Sequence, residues 1–84
     1  MVTVKLFGTF RLDSRVKCLY LDVKNVREIY PLIIDEVKRL NSSASLTEKD
    51  LKGCIVSVNG KQVRPSAKLK DGDEVCLMPA VAGG

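Results

Sequence analysis

The chain opens on an alternation. Val2, Val4 and Leu6 fall on one side and Thr3, Lys5 and Phe7 on the other, the period of two that marks a half-buried strand. The pattern predicts a strand over 2–10, with Gly8 as a bulge or bend near its end. Asp13-Ser14 supplies turn chemistry, and 15–23 reads as a second strand, paired with the first as a hairpin. Two sets compete for its inner face: Val16, Cys18 and Tyr20, or Leu19, Leu21 and Val23. The period then lengthens. Asn25 with Glu28 has the spacing of a capping box. From there Val26, Ile29, Tyr30, Ile33, Val37 and Leu40 form one apolar stripe at helical spacing, which a small sheet needs as its cover. Pro31 interrupts it. Inside a helix, proline removes a hydrogen bond and costs about 3 kcal/mol. Either the helix kinks there, or a loose first turn precedes a regular helix that starts at Pro31.

Residues 41–47 are small and polar. Thr47 and Asp50 resemble a second cap, with Gly53 ending a single helical turn. Residues 54–58 are a β-branched strand, Asn59-Gly60 is a hairpin turn, and 61–64 is a short return strand broken by Pro65. Asp71-Gly72-Asp73 is a turn, and Glu74 to Met78 is the last strand. The order β-β-α-β-β-β, with an extra turn at 48–52, resembles the β-grasp arrangement of ubiquitin. That implies an α+β fold, a mixed sheet of about five strands packed on one helix, with the last strand beside the first by analogy. Residues 1–78 are expected to form the domain and 79–84 a flexible tail.

Composition narrows the chemistry. Eighty-four residues hold one core, and 45% hydrophobic with 29% charged residues argues against disorder. No apolar run approaches the roughly 18–20 residues of a membrane span, and no signal peptide is evident, so a cytoplasmic protein without membrane partners is expected. Lys and Arg outnumber Asp and Glu by 14 to 10, yet the basic residues cluster no further than pairs such as Lys38-Arg39. With no Trp and four aromatics, a stacking platform for nucleic acid is poorly supplied. The cysteines, 18, 54 and 76, have no CxxC spacing, and the chain has no His. That speaks against a zinc site and excludes a Cys-His or Ser-His nucleophile pair. The cysteines read as reduced structural thiols in strand-like runs.

What remains is the end of the chain. The last strand runs through Pro79-Ala80-Val81-Ala82 into Gly83-Gly84. Glycine has no Cβ, so such a tip is thin and threads a narrow channel. The carboxylate of Gly84 is the candidate reacting group. Val58-Asn59-Gly60-Lys61, Leu69-Lys70-Asp71-Gly72-Asp73-Glu74-Val75 and the Pro79-Ala80-Val81-Ala82-Gly83-Gly84 tail together resemble the small subunit of molybdopterin synthase, a ubiquitin-like sulfur carrier. The Val4-Lys5-Leu6-Phe7 strand and the Val26-Arg27-Glu28-Ile29 helix opening also match that family's pattern. Pro79-Ala80 stands where relatives often have two prolines, Leu77-Met78 where aromatics are common, and the charge is basic where many relatives are acidic. These departures bear on the partner's identity more than on the class.

The resemblance implies that Gly84, preceded by Gly83, is adenylated and converted to a thiocarboxylate that donates sulfur to a pterin precursor of the molybdenum or tungsten cofactor. The chain binds no cofactor itself, and ATP is used by a ubiquitin-activating-like adenylyltransferase. The other implied partners are the synthase large subunit and a sulfurtransferase or cysteine desulfurase. Partner contacts are expected from Pro79, Val81 and Ala82 in the tail. They are also expected from Phe7, Cys76 and Met78 on the outer sheet face, where Val75 and Leu77 facing the helix would leave the last two exposed. Alternatives are a carrier for thiamine or tRNA thiolation, a modifier joined through Gly84 to lysines, and a plain interaction module.

Overall fold

A computed structural model describes residues 1–80. Strands β1 (Val2–Leu6), β2 (Cys18–Leu21), β3 (Ile55–Val58), β4 (Lys61–Val63) and β5 (Glu74–Met78) alternate with helices α1 (Gly8–Ser14), α2 (Ile29–Leu40) and α3 (Glu48–Lys52). The described strands form one sheet in the order β2-β1-β5-β3-β4. β1 runs parallel to β5, and every other pair is antiparallel. This is the β-grasp: one face of the mixed sheet is covered by α2, and the last strand lies at the centre against the first.

The alternation sets the register. Val2, Val4 and Leu6 of β1 and Val75 and Leu77 of β5 are fully buried. They meet Ile29, Ile33 and Val37 of α2, spaced four residues apart on one helix face. Each such side chain contributes about 1.5–3 kcal/mol on burial. On β2 the contest resolves in favour of Leu19 and Leu21, with Val23 beyond the strand. Tyr20 points to solvent, 67% exposed, because the antiparallel pairing Val2↔Leu21 and Val4↔Leu19 puts the leucines on the face of the β1 valines.

Several expectations need correction. The first strand ends at Leu6, and the bulge assigned to Gly8 is instead the start of α1, which continues through the supposed Asp13-Ser14 turn. β1 and β2 do pair, but across a helix rather than a tight hairpin. α1 is held by burial of Phe10 and Ser14, one helical turn apart. The Ser14 hydroxyl donates to the Phe10 carbonyl at 2.7 Å, and Arg15, left-handed at φ 59°, closes the helix through its N–H to the Arg11 carbonyl. The stripe on α2 also stops early: Leu40, at the helix end, is 54% exposed. Cys54 lies one residue before β3 rather than inside it.

A loose first turn does precede the regular helix, but α2 starts at Ile29 rather than at Pro31. A 3-10 turn over Val26–Glu28 precedes Ile29, so Pro31 sits third in the helix, where its N–H would lack an intrahelical partner in any case. Asn25 caps this opening. Its side chain accepts from the Glu28 N–H at 3.1 Å, and the Glu28 carboxylate accepts from the Asn25 N–H at 3.1 Å. Thr47 and Asp50 form the same box at α3.

Two loop staples hold the sheet ends. Asn59, at φ 52°, and Gly60, at φ 86°, make the β3–β4 turn. The Asn59 amide donates to Asp73 and its carbonyl oxygen accepts from the Glu74 N–H, both at 2.9 Å. Asp73 also accepts from the Lys70 N–H at 2.8 Å. The Asn-Gly and Asp-Gly-Asp turns are therefore one hydrogen-bonded unit clamping the start of β5. At the other end, Asp13 accepts from the Ser45 hydroxyl at 2.6 Å and the Leu46 N–H at 2.8 Å, fastening the 41–47 loop to α1.

Asn59→Ala is expected to destabilise the fold by about 1 kcal/mol, read as a lower denaturation midpoint at unchanged slope. Both staple carboxyls are held below the ordinary carboxylate range. The Lys70 N–H and then the Asn59 amide do this for Asp73, and the Ser45 hydroxyl does it for Asp13. Because the folded values lie below the unfolded ones, their stabilisation is complete above the unfolded value of about 3.9. It is lost as pH falls through the folded values. Acid unfolding is expected to begin below about pH 4, and stability unchanged across that range would contradict the assignment.

Candidate functional site

β5 is the element that carries the chain outward. It lies between β1 and β3 and ends at Met78, where the Phe7 N–H donates to the Leu77 carbonyl at 3.1 Å. The parallel β1–β5 pair thus ends with Phe7 and Pro79 close together at one end of the sheet's central strands. Gly8 makes this approach close. It is left-handed at φ 58°, and a Cβ placed on it would stand 3.1 Å from Cδ of Pro79. The proline that begins the tail is therefore seated against a position that favours glycine for both backbone angle and space.

Of the residues expected at the site, the structure brings Phe7, Cys76, Met78 and Pro79 together. Val75 and Leu77 are buried, while Cys76 is half-buried and Met78 is 38% exposed. Met78 is the register partner of Ile55, and Cys76 lies between Lys5 on β1 and Ser57 on β3. Phe7, Met78 and Ile55, each more than one third exposed, thus form an apolar row across three strands beside the tail. Ile55 was missed. With Val56 inward, the alternation already placed Ile55 on the outer face. Lys5, Cys18 and Tyr20 continue that face toward β2, where Lys5 is 3.3 Å from Glu74. The neighbouring Cys18 thiol raises the Tyr20 phenol above its ordinary pKa. Val81, Ala82, Gly83 and Gly84 lie outside the described residues, and the roles expected of them remain expectations.

Beyond this face, chemistry is sparse. Among the described residues no group of His, Cys, Asp and Glu is placed to hold a metal ion, and no helix is long and apolar enough to cross a membrane. The three cysteines are free and partly buried. Burial pushes the Cys54 thiol up to about 11, which leaves it neutral near pH 7. A cavity of about 340 Å³ beside the tail root is lined by Phe10, Asp13, Leu46, Asp50, Pro79 and Ala80 among others, but Asp13 and Asp50 are already bonded to Ser45 and Thr47. Among the described residues the arrangement brings together no general base and nucleophile pair. It offers a shaped face and a strand that leads out of the sheet centre.

The pattern of the ThiS family matches residues 4–84, nearly the whole chain and the tail with it. The chain belongs to the ThiS family. Among relatives, it is 47% identical over 36 residues to a molybdopterin synthase sulfur carrier subunit of Chlamydomonas reinhardtii. That match covers 40% of this chain and 43% of the other, so the chain spans less than half the length of the curated relative it matches. Two solved structures overlay nearly all of it. Small archaeal modifier protein 1 of Methanosarcina acetivorans has a TM-score of 0.72 at 26% identity, covering 99% of this chain and 95% of the other. A structure described as molybdopterin converting factor subunit 1 of Pyrococcus furiosus has a TM-score of 0.66 at 26% identity, covering 95% and 97%. Membership and fold together place this ThiS-family chain among the ubiquitin-like β-grasp proteins, the fold that the strand and turn motifs led one to expect.

Two results check this geometry. Gly8→Ala is expected to cost about 1 kcal/mol from the left-handed backbone alone, and Pro79→Gly should recover only the part due to the Pro79 contact. Of the three thiols, Cys54 should alkylate slowest at neutral pH, as read by peptide mapping of the folded chain.

Proposed function

We propose that this chain is a sulfur carrier whose Gly84 carboxylate is adenylated and then converted to a thiocarboxylate, and that it acts as the small subunit of a molybdopterin synthase. The observation that carries the reading is that the family match runs through Gly84, while β5 leads toward that end from the sheet centre past a seated Pro79. The molybdopterin assignment draws on the 47% identity to a synthase sulfur carrier subunit.

An α-carboxylate has a pKa near 3.5 and is anionic at neutral pH, a poor electrophile. In the proposed sequence, an activating enzyme lets one carboxylate oxygen attack the α-phosphate of ATP, releasing pyrophosphate. A persulfide carried by a sulfurtransferase or desulfurase then displaces AMP, and a thiol cleaves the resulting acyl disulfide, releasing the thiocarboxylate and leaving the thiol in a disulfide with the donor. The resulting thiocarboxylate is the nucleophile toward the pterin precursor. The absence of His from the chain fits this division, with the partner supplying acid–base groups and orientation. Pro79 to Gly84 reach about 20 Å when extended. Val81 would anchor in the partner's channel, and Ala82 and Gly83 would keep the tip narrow. Phe7, Ile55, Cys76 and Met78 form the face that docks the large subunit and the adenylyltransferase.

A second reading is favoured by the likeness to a small archaeal modifier protein, namely attachment of Gly84 to lysines of other proteins. It begins with the same adenylate. Intact-mass measurement after incubation with ATP, the host's activating enzyme and a sulfur source should show oxygen replaced by sulfur at Gly84. No change with any such enzyme from the host would overturn the carrier reading, and a ladder of lysine adducts in the host would favour the modifier. Deleting Gly84 should abolish the mass change without altering the melting temperature, and a large loss of stability would contradict a tail that works apart from the fold.

A further inference from the structure

The sheet corner beside the apolar row has a charge pattern that the carrier reading does not use. β1 supplies Lys5, Phe7 follows it as the N-cap of α1, α1 supplies Arg11, Lys17 immediately precedes β2, and Cys18 is its first residue. Lys17 is held at the end of β1, where its carbonyl accepts from the Leu6 N–H at 3.0 Å. Together with Leu6 these residues line a cavity of about 340 Å³. Three of its lining residues are cations and none is an acid.

The carboxylates that could balance the corner are already paired, leaving Arg11 and Lys17 unmatched among the described residues. Glu74 pairs with Lys5 from the β5 side. Asp13, on α1, is bonded to Ser45 and Leu46. Asp71 bonds the N-terminal ammonium at the opposite end of the sheet. Among the described residues, Arg11 and Lys17 are exposed and have no ion-pair partner. Cations gathered around one cavity repel one another within the screening length of about 8 Å, so an arriving negative charge relieves a cost as well as forming pairs.

We propose that this corner docks an acidic segment of the partner protein, one that sets an apolar side chain against Phe7 between flanking carboxylates that pair with Arg11 and Lys17. This deepens the carrier reading by giving the partner's chemistry at its docking face. A protein segment fits better than a nucleic acid, because Phe7, which lines the cavity, also belongs to the exposed apolar row with Met78 and Ile55, which offers nothing to a phosphate backbone. The net charge of +4 acts in the same direction at long range, speeding encounter with an acidic surface.

The test has two arms. In the first, the full chain labelled with nitrogen-15 is titrated with the peptide Asp-Asp-Phe-Glu-Asp, its all-Lys counterpart Lys-Lys-Phe-Lys-Lys, and oligothymidine. The acidic peptide should shift the amides of Lys5, Phe7, Arg11, Lys17 and Cys18, and salt should weaken the effect. The lysine peptide should shift none of them. Scattered shifts, equal shifts with both peptides, or a stronger response to oligothymidine at these residues would overturn the proposal.

In the second arm, ATP–pyrophosphate exchange by the host's adenylyltransferase is followed against carrier concentration. Arg11→Glu and Lys17→Glu should each raise KM about tenfold with kcat unchanged and flatten its dependence on salt. Lys68→Glu, at the far end of the sheet beside Asn25, should change KM less than twofold. Equal effects at all three positions would overturn the proposal. Absence of exchange with the unaltered chain would sink the carrier reading instead, and the peptide arm would still decide the surface.

Discussion

The parallel pairing of β1 with β5 is the constraint on which the rest of the structure depends. Two strands far apart in sequence meet at the sheet centre with the register Val4↔Val75 and Leu6↔Leu77, burying all four side chains against α2. A parallel pair needs a crossover, and everything between Phe7 and Asp73 supplies it: α1, β2, the covering helix and the β3–β4 hairpin. Because β5 is central rather than at an edge, its inward side chains are locked from both sides. The chain that follows Met78 therefore leaves from a fixed point, beside Phe7 and against Gly8.

That anchoring separates stability from chemistry. The core and the two staples, Asn59 with Asp73 and Asp13 with Ser45, hold a rigid body that carries no catalytic constellation among its described residues. The outer face divides in two: an apolar row of Phe7, Met78 and Ile55 next to the tail, and a cationic corner of Lys5, Arg11 and Lys17 beyond it. An apolar centre flanked by charge is the composition of a protein-docking surface, and it surrounds the place where the tail departs.

Much of this was legible in the residues, and the failures have physical causes. Alternation in Val2 to Leu6, the spacing of Ile29, Ile33 and Val37, and the Asn59-Gly60 and Asp71-Gly72-Asp73 turns each specify their element locally. α1 does not. It is seven residues long and buries only Phe10 and Ser14, too few positions to declare a helical period, and one of them is polar. The inner face of β2 was undecided because both residue sets are apolar enough, and pairing with β1 breaks the tie. Pro31 is tolerated because the 3-10 turn shifts the helix start, which depends on the Asn25 cap and on the Arg27 N–H reaching the Pro65 carbonyl at 3.0 Å, a long-range contact. At the site, Phe7, Cys76 and Met78 followed from alternation, whereas the cationic corner exists only because α1 brings Arg11 to Lys17.

The central proposal is that the carboxylate at Gly84 is the working group, and that the body presents it and docks the partner. The most direct measurement compares ATP–pyrophosphate exchange by the host's activating enzyme on the unaltered chain and on a semisynthetic chain whose Gly84 ends in an amide. The account predicts identical denaturation midpoints for the two, with exchange on the first and none on the second. Exchange on the amidated chain would contradict it.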